Sequence, residues 1–452
     1  MGLGARIRCA TALALWAGAV CAEPLVLDAE ALRRLADTAL AAGYAEQAIA
    51  YTDALLVRDA GDATALILKA RALRLLERYP ESEAVARLAW AAAKTDTAKF
   101  GAAITLAQAL SLQDNRTAAQ LWLRTAEQYA PNPRARAQAI RDFNFVRGQN
   151  PLSLHFNLSL QPSDNVNNGT FPQIIFIPGL PPAIPDVALS GVTGELSLSG
   201  RYRLQQSATR QTDLTFGGLH QQVWLQPDAT DFLPGASNDD YAYAAVNFGA
   251  SDRYLANAKG GIVSLTAGIS HDWFAGTDLS NHLKLGWGYE QALSQHSRGV
   301  FNLSVDHLQR LDYAQDSATT STVSLGQILR LRHGDSLQMT VAGSDTTSGN
   351  INLGHADLST RFDYQWAKPV LGTSLSASVG IKELSYSTFY IPGFPIGRRD
   401  EYLTASLSAT LDQVDYFGFA PVLGLDFARN TSSFSPYDTK TFTLSLNIAS
   451  KF

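Results

Sequence analysis

The sequence predicts a multidomain α plus all-β membrane fold: an N-terminal tetratricopeptide-like α-helical module, then a fourteen-stranded antiparallel transmembrane β-barrel. Three observations carry this. From Leu25 to about Asn144 the chain is rich in Ala, Leu, Arg and Gln, with small residues recurring at near-regular intervals. From Leu152 onward, polar and apolar residues alternate to the end of the sequence. Alternation with period two marks strands with one wet and one oily face, and strands cross a membrane as a closed barrel. The last strand stops at an aromatic residue: Phe442, Leu444, Leu446, Ile448 and Phe452 share one face, with Thr441, Thr443, Ser445, Asn447 and Lys451 on the other. Such an ending resembles the signal read by the outer-membrane barrel assembly machinery.

The stretch from Met1 to Ala22 reads as a secretory signal peptide. Arg6 and Arg8 precede an apolar run, and Val20-Cys21-Ala22 offers a cleavage site before Glu23. A lipoprotein reading with Cys21 lipidated is weaker, because Val20 is bulky where a small residue is wanted. Both cysteines, Cys9 and Cys21, fall in this leader, so the mature chain is expected to have neither disulfide nor thiol chemistry. No later run of 18 apolar residues predicts a membrane helix. A net charge of −5 gives no sign of nucleic-acid binding.

Residues 23–150 are expected to be a periplasmic helical domain. Ala36 and Ala48 are twelve apart, as are Ala107 and Ala119, and Ala126 follows. Ala48, Ala84 and Ala119 recur at intervals of 36 and 35, close to the period of about 34 of tetratricopeptide repeats. Three degenerate repeats follow from this, with turns at Gly43-Tyr44 and Arg78-Tyr79-Pro80, and an Ala-rich bundle is the plain alternative. Pro131, Pro133 and Arg147-Gly148-Gln149-Asn150-Pro151 are expected to end the helices.

Residues 151–452 are the expected outer-membrane barrel, with strands running from 152–161 to 438–452. With both ends of the barrel in the periplasm, odd-to-even connections should be long and even-to-odd ones short. The segment 162–190 is the longest, and 207–210, His333-Gly334 and 413–415 are tight; 251–260 is a longish turn on the wrong side. Ile177-Pro178-Gly179-Leu180-Pro181 and Ile391-Pro392-Gly393-Phe394-Pro395 read as Pro-Gly turns on two outer connections, or as an apolar contact surface or plug.

Catalytic spacings are missing: the sequence holds no Gly-x-Ser-x-Gly, no His-Glu-x-x-His and no phosphate loop. The neighbours His271-Asp272 and Asp306-His307 point to opposite faces of a strand and cannot pair by themselves. No enzyme activity, cofactor or metal is expected. Asp164-Asn165-Val166-Asn167-Asn168-Gly169 places Val166 at a ligand position of a calcium loop, so it reads as a solvated turn.

The leader, the short repeat module, Leu152–Leu160 running into Pro162-Ser163-Asp164-Asn165-Val166-Asn167, and the closing strand to Phe452 together resemble the Slam family, the surface lipoprotein assembly modulators. Asp164, Asn165 and Asn167 resemble that family's opening barrel sequence. The resemblance implies an outer-membrane translocon of a Gram-negative bacterium, delivering client lipoproteins or secreted proteins to the cell surface. Periplasmic chaperones, the barrel assembly machinery and outer-membrane lipid are the implied partners. The physical reading of such a role is a hydrated lumen or an opening between the first and last strands. A polysaccharide exporter with periplasmic repeats and a passive porin are the alternatives.

Overall fold

In the computed structural model, residues 27–167, 169, 188–227, 235–258, 260–392 and 395–451 are described. The expected leader, the Pro-Gly segment 177–181, Asn168, Gly393, Phe394 and Phe452 lie outside them. The chain forms two compact units, Met1–Gln113 and Asp114–Phe452.

The first unit holds α1 (Ala29–Ala41), α2 (Ala45–Arg58), α3 (Ala63–Leu75), α4 (Tyr79–Ala92) and α5 (Asp96–Leu112), each packed against the next. Asp28, Asp62 and Thr95 cap α1, α3 and α5 by accepting the backbone N–H three residues on, satisfying donors that a helix start leaves open. Gly43 turns the chain between α1 and α2 at positive φ, a left-handed conformation that glycine adopts without steric cost.

The helical repeat is present, but its register differs from the expected one. Ala84 is exposed, while Ser82 is fully buried and donates its hydroxyl to Ala70 O at 2.7 Å. The buried small positions are therefore Ala36, Ala70 and Ala107, and Ala48, Ser82 and Ala119, with spacings of 34 and 37 in both series. Alanine enrichment hid this, because an exposed alanine on the same helix looks identical in sequence.

The second unit begins with α6 (Arg116–Gln128) and α7 (Pro133–Gln149). Pro133 starts α7 rather than ending a helix: proline is tolerated in the first turn, where its missing N–H has no partner to lose. Arg147, Gly148 and Gln149 form the last turn of α7, so the linker shrinks to Asn150 and Pro151.

Fourteen antiparallel strands then close into a barrel: β1 (Leu152–Ser163), β2 (Gly191–Gln206), β3 (Arg210–Leu225), β4 (Tyr243–Leu255), β5 (Ile262–Phe274), β6 (Thr277–Ser294), β7 (Ser297–Arg310), β8 (Ala318–Arg330), β9 (Ser336–Ser348), β10 (His355–Gln365), β11 (Ser374–Tyr386), β12 (Arg398–Thr410), β13 (Phe419–Ser432) and β14 (Thr439–Ser450). β1 starts at one rim, here called proximal, and ends at the distal rim. None of the described helices is long and apolar enough to cross a membrane.

The three longest connections, 164–190, 226–242 and 387–397, lie at the distal rim, but three expected turns change. At the proximal rim the tight turn expected at 413–415 widens to 411–418. β4 extends to Leu255, which shrinks the turn expected at 251–260 to 256–261. At the distal rim β5 and β6 meet through only Ala275-Gly276, both at positive φ, the backbone signature of a tight hairpin turn.

The expected alternation sorts the two faces. On β1, Leu154, Phe156, Leu158 and Leu160 are exposed outward while Ser159 is buried; on β14, Phe442, Leu444, Leu446 and Ile448 are exposed while Ser445 is buried. An exterior of exposed Leu, Phe, Ile and Val with a Ser, Thr, Asn and Asp interior inverts a soluble protein, and bilayer hydrocarbon is the solvent that fits it. Gly200 belongs to this packing: the Phe216 ring lies across it so closely that a Cβ would stand 2.2 Å from a ring atom.

Candidate functional site: the seam between the first and last strands

Every neighbouring pair of strands from β1 through β2 and on to β14 is in continuous or nearly continuous register. β1 pairs with β2 from Leu152↔Tyr202 to Ser163↔Gly191, and β13 with β14 from Phe419↔Ser450 to Asn430↔Thr439. The closing pair differs. Among the described residues, β1 and β14 register only at Ser159↔Asn447, Leu160↔Leu446 and Ser163↔Thr443. Backbone hydrogen bonds are the main lateral cohesion of a barrel, so this seam is the easiest place to part the wall.

The distal end of the seam is held by side chains. Asp164 Oδ1 accepts the Phe442 N–H at 2.9 Å, and Asn165 Nδ2 donates to Lys440 O at 3.3 Å. Asn165 is only 5% exposed and brackets Gly169, accepting its N–H at 2.7 Å and donating to its carbonyl at 2.9 Å. Asn167 Oδ1 accepts the Leu189 N–H at 2.9 Å. The expected solvated turn is thus an ordered clasp, because short amide side chains bonded to nearby backbone fold the loop over the strand end. It joins Asp164 and Asn165 to Phe442 and Lys440 of the closing strand, while Asn167 ties the loop to Leu189 just before β2. Pro162, Asp164, Phe442 and Leu444 line a shallow cleft of about 310 Å³ there.

The proximal end is held by helices. Arg124 of α6 donates to Phe417 O and Gly418 O, both at 3.2 Å, and to Ser450 Oγ at 2.6 Å. Its guanidinium lies over the rings of Phe143 and Phe419, at 4.8 and 4.4 Å. Burial, with Arg147 nearby, lowers its pKa. Gln128 Oε1 accepts the Phe417 N–H at 2.8 Å. Arg136 bridges buried Glu127 and Asp415, the latter at 2.6 Å, and Lys451 Nζ meets the same carboxylate at 3.0 Å. Burial raises the pKa of Glu127, and Asp415 adds to the rise; Arg136 pulls it down without overcoming burial. One Glu127 oxygen is left buried without a hydrogen bond, consistent with that cost.

These contacts fix the helix pair to the β12–β13 turn on one side of the seam. On the other side α7 runs directly into β1, and Arg203 of β2 donates to Gly148 O at 3.2 Å. The pair therefore straps the proximal end of the seam, where among the described residues β1 has no registered partner on β14. Nothing local in the sequence announces Arg124, Arg136 or Asp415, since the contacts of the two arginines with the β12–β13 turn join residues nearly 300 positions apart.

The lumen wall is polar, and many of its charges are paired. His282 of β6 reaches Asp272 Oδ2 at 3.0 Å with Nε2 and Asp306 Oδ1 at 3.2 Å with Nδ1, while Lys284 meets Asp306 at 3.3 Å. The Asp272 and Asp306 carboxylates meet a histidine from another position rather than their sequence neighbours. Arg361 pairs with Asp363 at 2.8 Å and donates to Ser378 at 2.9 Å, beside a recess of about 450 Å³. Pairing of this kind leaves the lumen face polar while neutralising much of its charge.

Near the distal rim, Arg398 is almost fully buried between the Tyr386, Tyr437 and Phe389 rings, at 3.8, 3.7 and 4.7 Å. Its Nε stands 3.2 Å from Asp400, an ion pair whose geometry makes no hydrogen bond. Ile391, from the second Pro-Gly segment, packs on this cluster. In the first unit, α1, α3 and α5 enclose a groove of about 660 Å³ around Ile67, Leu68 and Phe100.

No family model and no curated protein matches this chain. Among solved structures, a BenF-like porin from Pseudomonas fluorescens Pf-5 is similar at 12% identity and a TM-score of 0.34, covering 66% of this chain and 99% of the porin. A loop-deletion form of OmpT, an outer-membrane protein of Vibrio cholerae, is similar at 8% identity and a TM-score of 0.33, covering 66% and 99%. The Yersinia enterocolitica type III secretion translocator chaperone SycD is similar at 16% identity and a TM-score of 0.24, covering 26% of this chain and 83% of the chaperone. The closed fourteen-stranded ring with an apolar exterior is an outer-membrane β-barrel, and it follows a tetratricopeptide-like helical module.

Proposed function

We propose that this outer-membrane barrel is a translocon that delivers client lipoproteins or secreted proteins to the cell surface, with its helices in the periplasm. The observation that carries the reading is the β1–β14 seam, sparsely paired, strapped by helices at one end and clasped by the Asp164–Asn167 motif at the other. A translocon needs a wall that can part while its lumen stays hydrated. Helices fixed beside the proximal end would sit where a client arrives. No nucleotide is available in the periplasm, so the work would come from client folding outside or from chaperone hand-off.

The test is a seam lock. Ser159→Cys with Asn447→Cys places two cysteines at registered partners, in a chain whose own cysteines are only Cys9 and Cys21. The protein is co-expressed with the lipoprotein encoded beside its gene, and protease accessibility is read on intact cells. Exposure lost under oxidation and regained on reduction supports the reading. Exposure that ignores the lock removes the seam from the mechanism. Exposure that never depends on this protein removes the translocon, and conductance of the purified barrel then tests the passive porin, which the closed ring and polar lumen also fit.

A further inference from the structure

The proximal half of β1 carries an edge that β14 does not fill. Among the described residues, Ser153–Leu158 has no registered partner on β14, although the same residues pair with β2 without a break. The end of β14 is anchored on its other side, to β13, the β12–β13 turn and the helix pair. Ser450 Oγ is held by Arg124, the Lys451 N–H donates to Gly418 O at 2.9 Å, and Lys451 Nζ donates to Asp412 O at 2.7 Å. A strand edge at membrane depth, with lipid on one face and water on the other, is a template for another strand.

We infer that Ser153–Leu158 is a docking edge for an extended segment of the transported polypeptide, taken up as a temporary extra strand. This rests on the translocon reading and names the partner of the same seam. Main-chain hydrogen bonds make such a site tolerant of sequence, which suits a carrier of unrelated clients. The two faces still select. Leu154, Phe156 and Leu158 are exposed outward, and Ser153, His155 and Asn157 alternate with them toward the lumen. The occupant must therefore alternate apolar and polar residues, and an outward charge would disfavour it. Six residues of edge offer about 20 Å at the strand rise of ~3.3 Å, the length of one ordinary strand.

The test uses full-length protein in detergent, carrying Cys9→Ser, Cys21→Ser and one new cysteine, Asn157→Cys on the edge or Ser304→Cys on β7. Ser304 is paired on both sides, to Gly286 and Thr322, and serves as the closed-wall control. The probe is a synthetic peptide of the Thr439–Ser450 sequence with Asn447→Cys, a strand that already pairs with β1. Disulfide adducts are read by mass. Roughly tenfold more adduct at Asn157 than at Ser304, and roughly tenfold less when the peptide also carries Leu446→Pro, are expected because proline blocks strand pairing. Equal adduct at the two sites, or indifference to the proline, overturns the docking edge. Selective coupling at Asn157, together with lipoprotein exposure that never depends on this protein, overturns the transported chain as the occupant. Dependent exposure without selective coupling overturns the edge and leaves the translocon reading standing.

Discussion

Arg124→Ala removes the guanidinium that joins the helix pair to both sides of the β13–β14 end. The side chain donates to two carbonyls and a hydroxyl and covers two phenyl rings. Hydrogen bonds from a charged donor are worth about 1.5–3 kcal/mol, and each exposed-site cation–π contact about 0.5–1 kcal/mol. The contacts share one group and Arg124 is half-buried, so they do not add; the loss is about 2–4 kcal/mol of docking free energy. At about 1.4 kcal/mol per tenfold, amide protection in α6 and α7 should fall by roughly thirty- to several-hundredfold. The assay is native-state hydrogen exchange in detergent, with β6–β9 as internal reference, because local opening leaves strands far from the helices unchanged. Arg124→Lys, which keeps the charge but not the planar fork, should fall between. Unchanged protection in α6 and α7, or equal loss in β6–β9, refutes the strap.

Three further perturbations follow from the same contacts. A carboxylate whose pKa is raised in the docked state, as for Glu127, stabilises docking fully below its ordinary value of 4.5, and this is lost as pH rises through the raised value. Protection of α6 and α7 should therefore weaken upward from about pH 4.5, and Glu127→Gln should flatten that dependence, checked by protection factors between about pH 4 and 7. Asp164→Ala should free the exposed Phe442 N–H at a cost of about 0.5–1.5 kcal/mol, seen as faster exchange at Thr439–Thr443, while Asp164→Asn keeps an acceptor and loses less. Arg398→Ala should destabilise the barrel by about 3–5 kcal/mol in thermal unfolding, because it leaves buried Asp400 without its cation. Arg398→Met with Asp400→Asn should recover most of that loss, since neither charge is then stranded; no recovery would remove the pair as the cause.

Much of the barrel was legible because its code is local. Whether Leu444 faces lipid and Ser445 the lumen follows from their adjacent positions on one strand. Fourteen strands could be placed from this alone, and the faces of β1 and β14 came out as the alternation required. Boundaries were harder where polarity does not change at a strand end, as at Ser251–Leu255, or where a two-residue turn replaces an apparent loop, as at Ala275-Gly276. In the helices, Ser82 rather than Ala84 holds the buried position, which composition could not tell apart.

The sequence by itself determined the secondary structure, the order of the two parts and the solvent of each strand face, because a two- or 3.6-residue period is set by neighbouring residues. It also supplied Asp164, Asn165 and Asn167 as a motif, without saying what they hold. Only the tertiary structure brought Asp164 to Phe442, set Arg124 and Arg136 on the β12–β13 turn, and left Ser153–Leu158, among the described residues, without a registered partner on β14. Closure of a barrel joins the first and last strands of its sheet, the two that lie farthest apart along the chain. Register there is decided by the summed tilt and stagger of all fourteen strands, a quantity no single stretch of sequence contains.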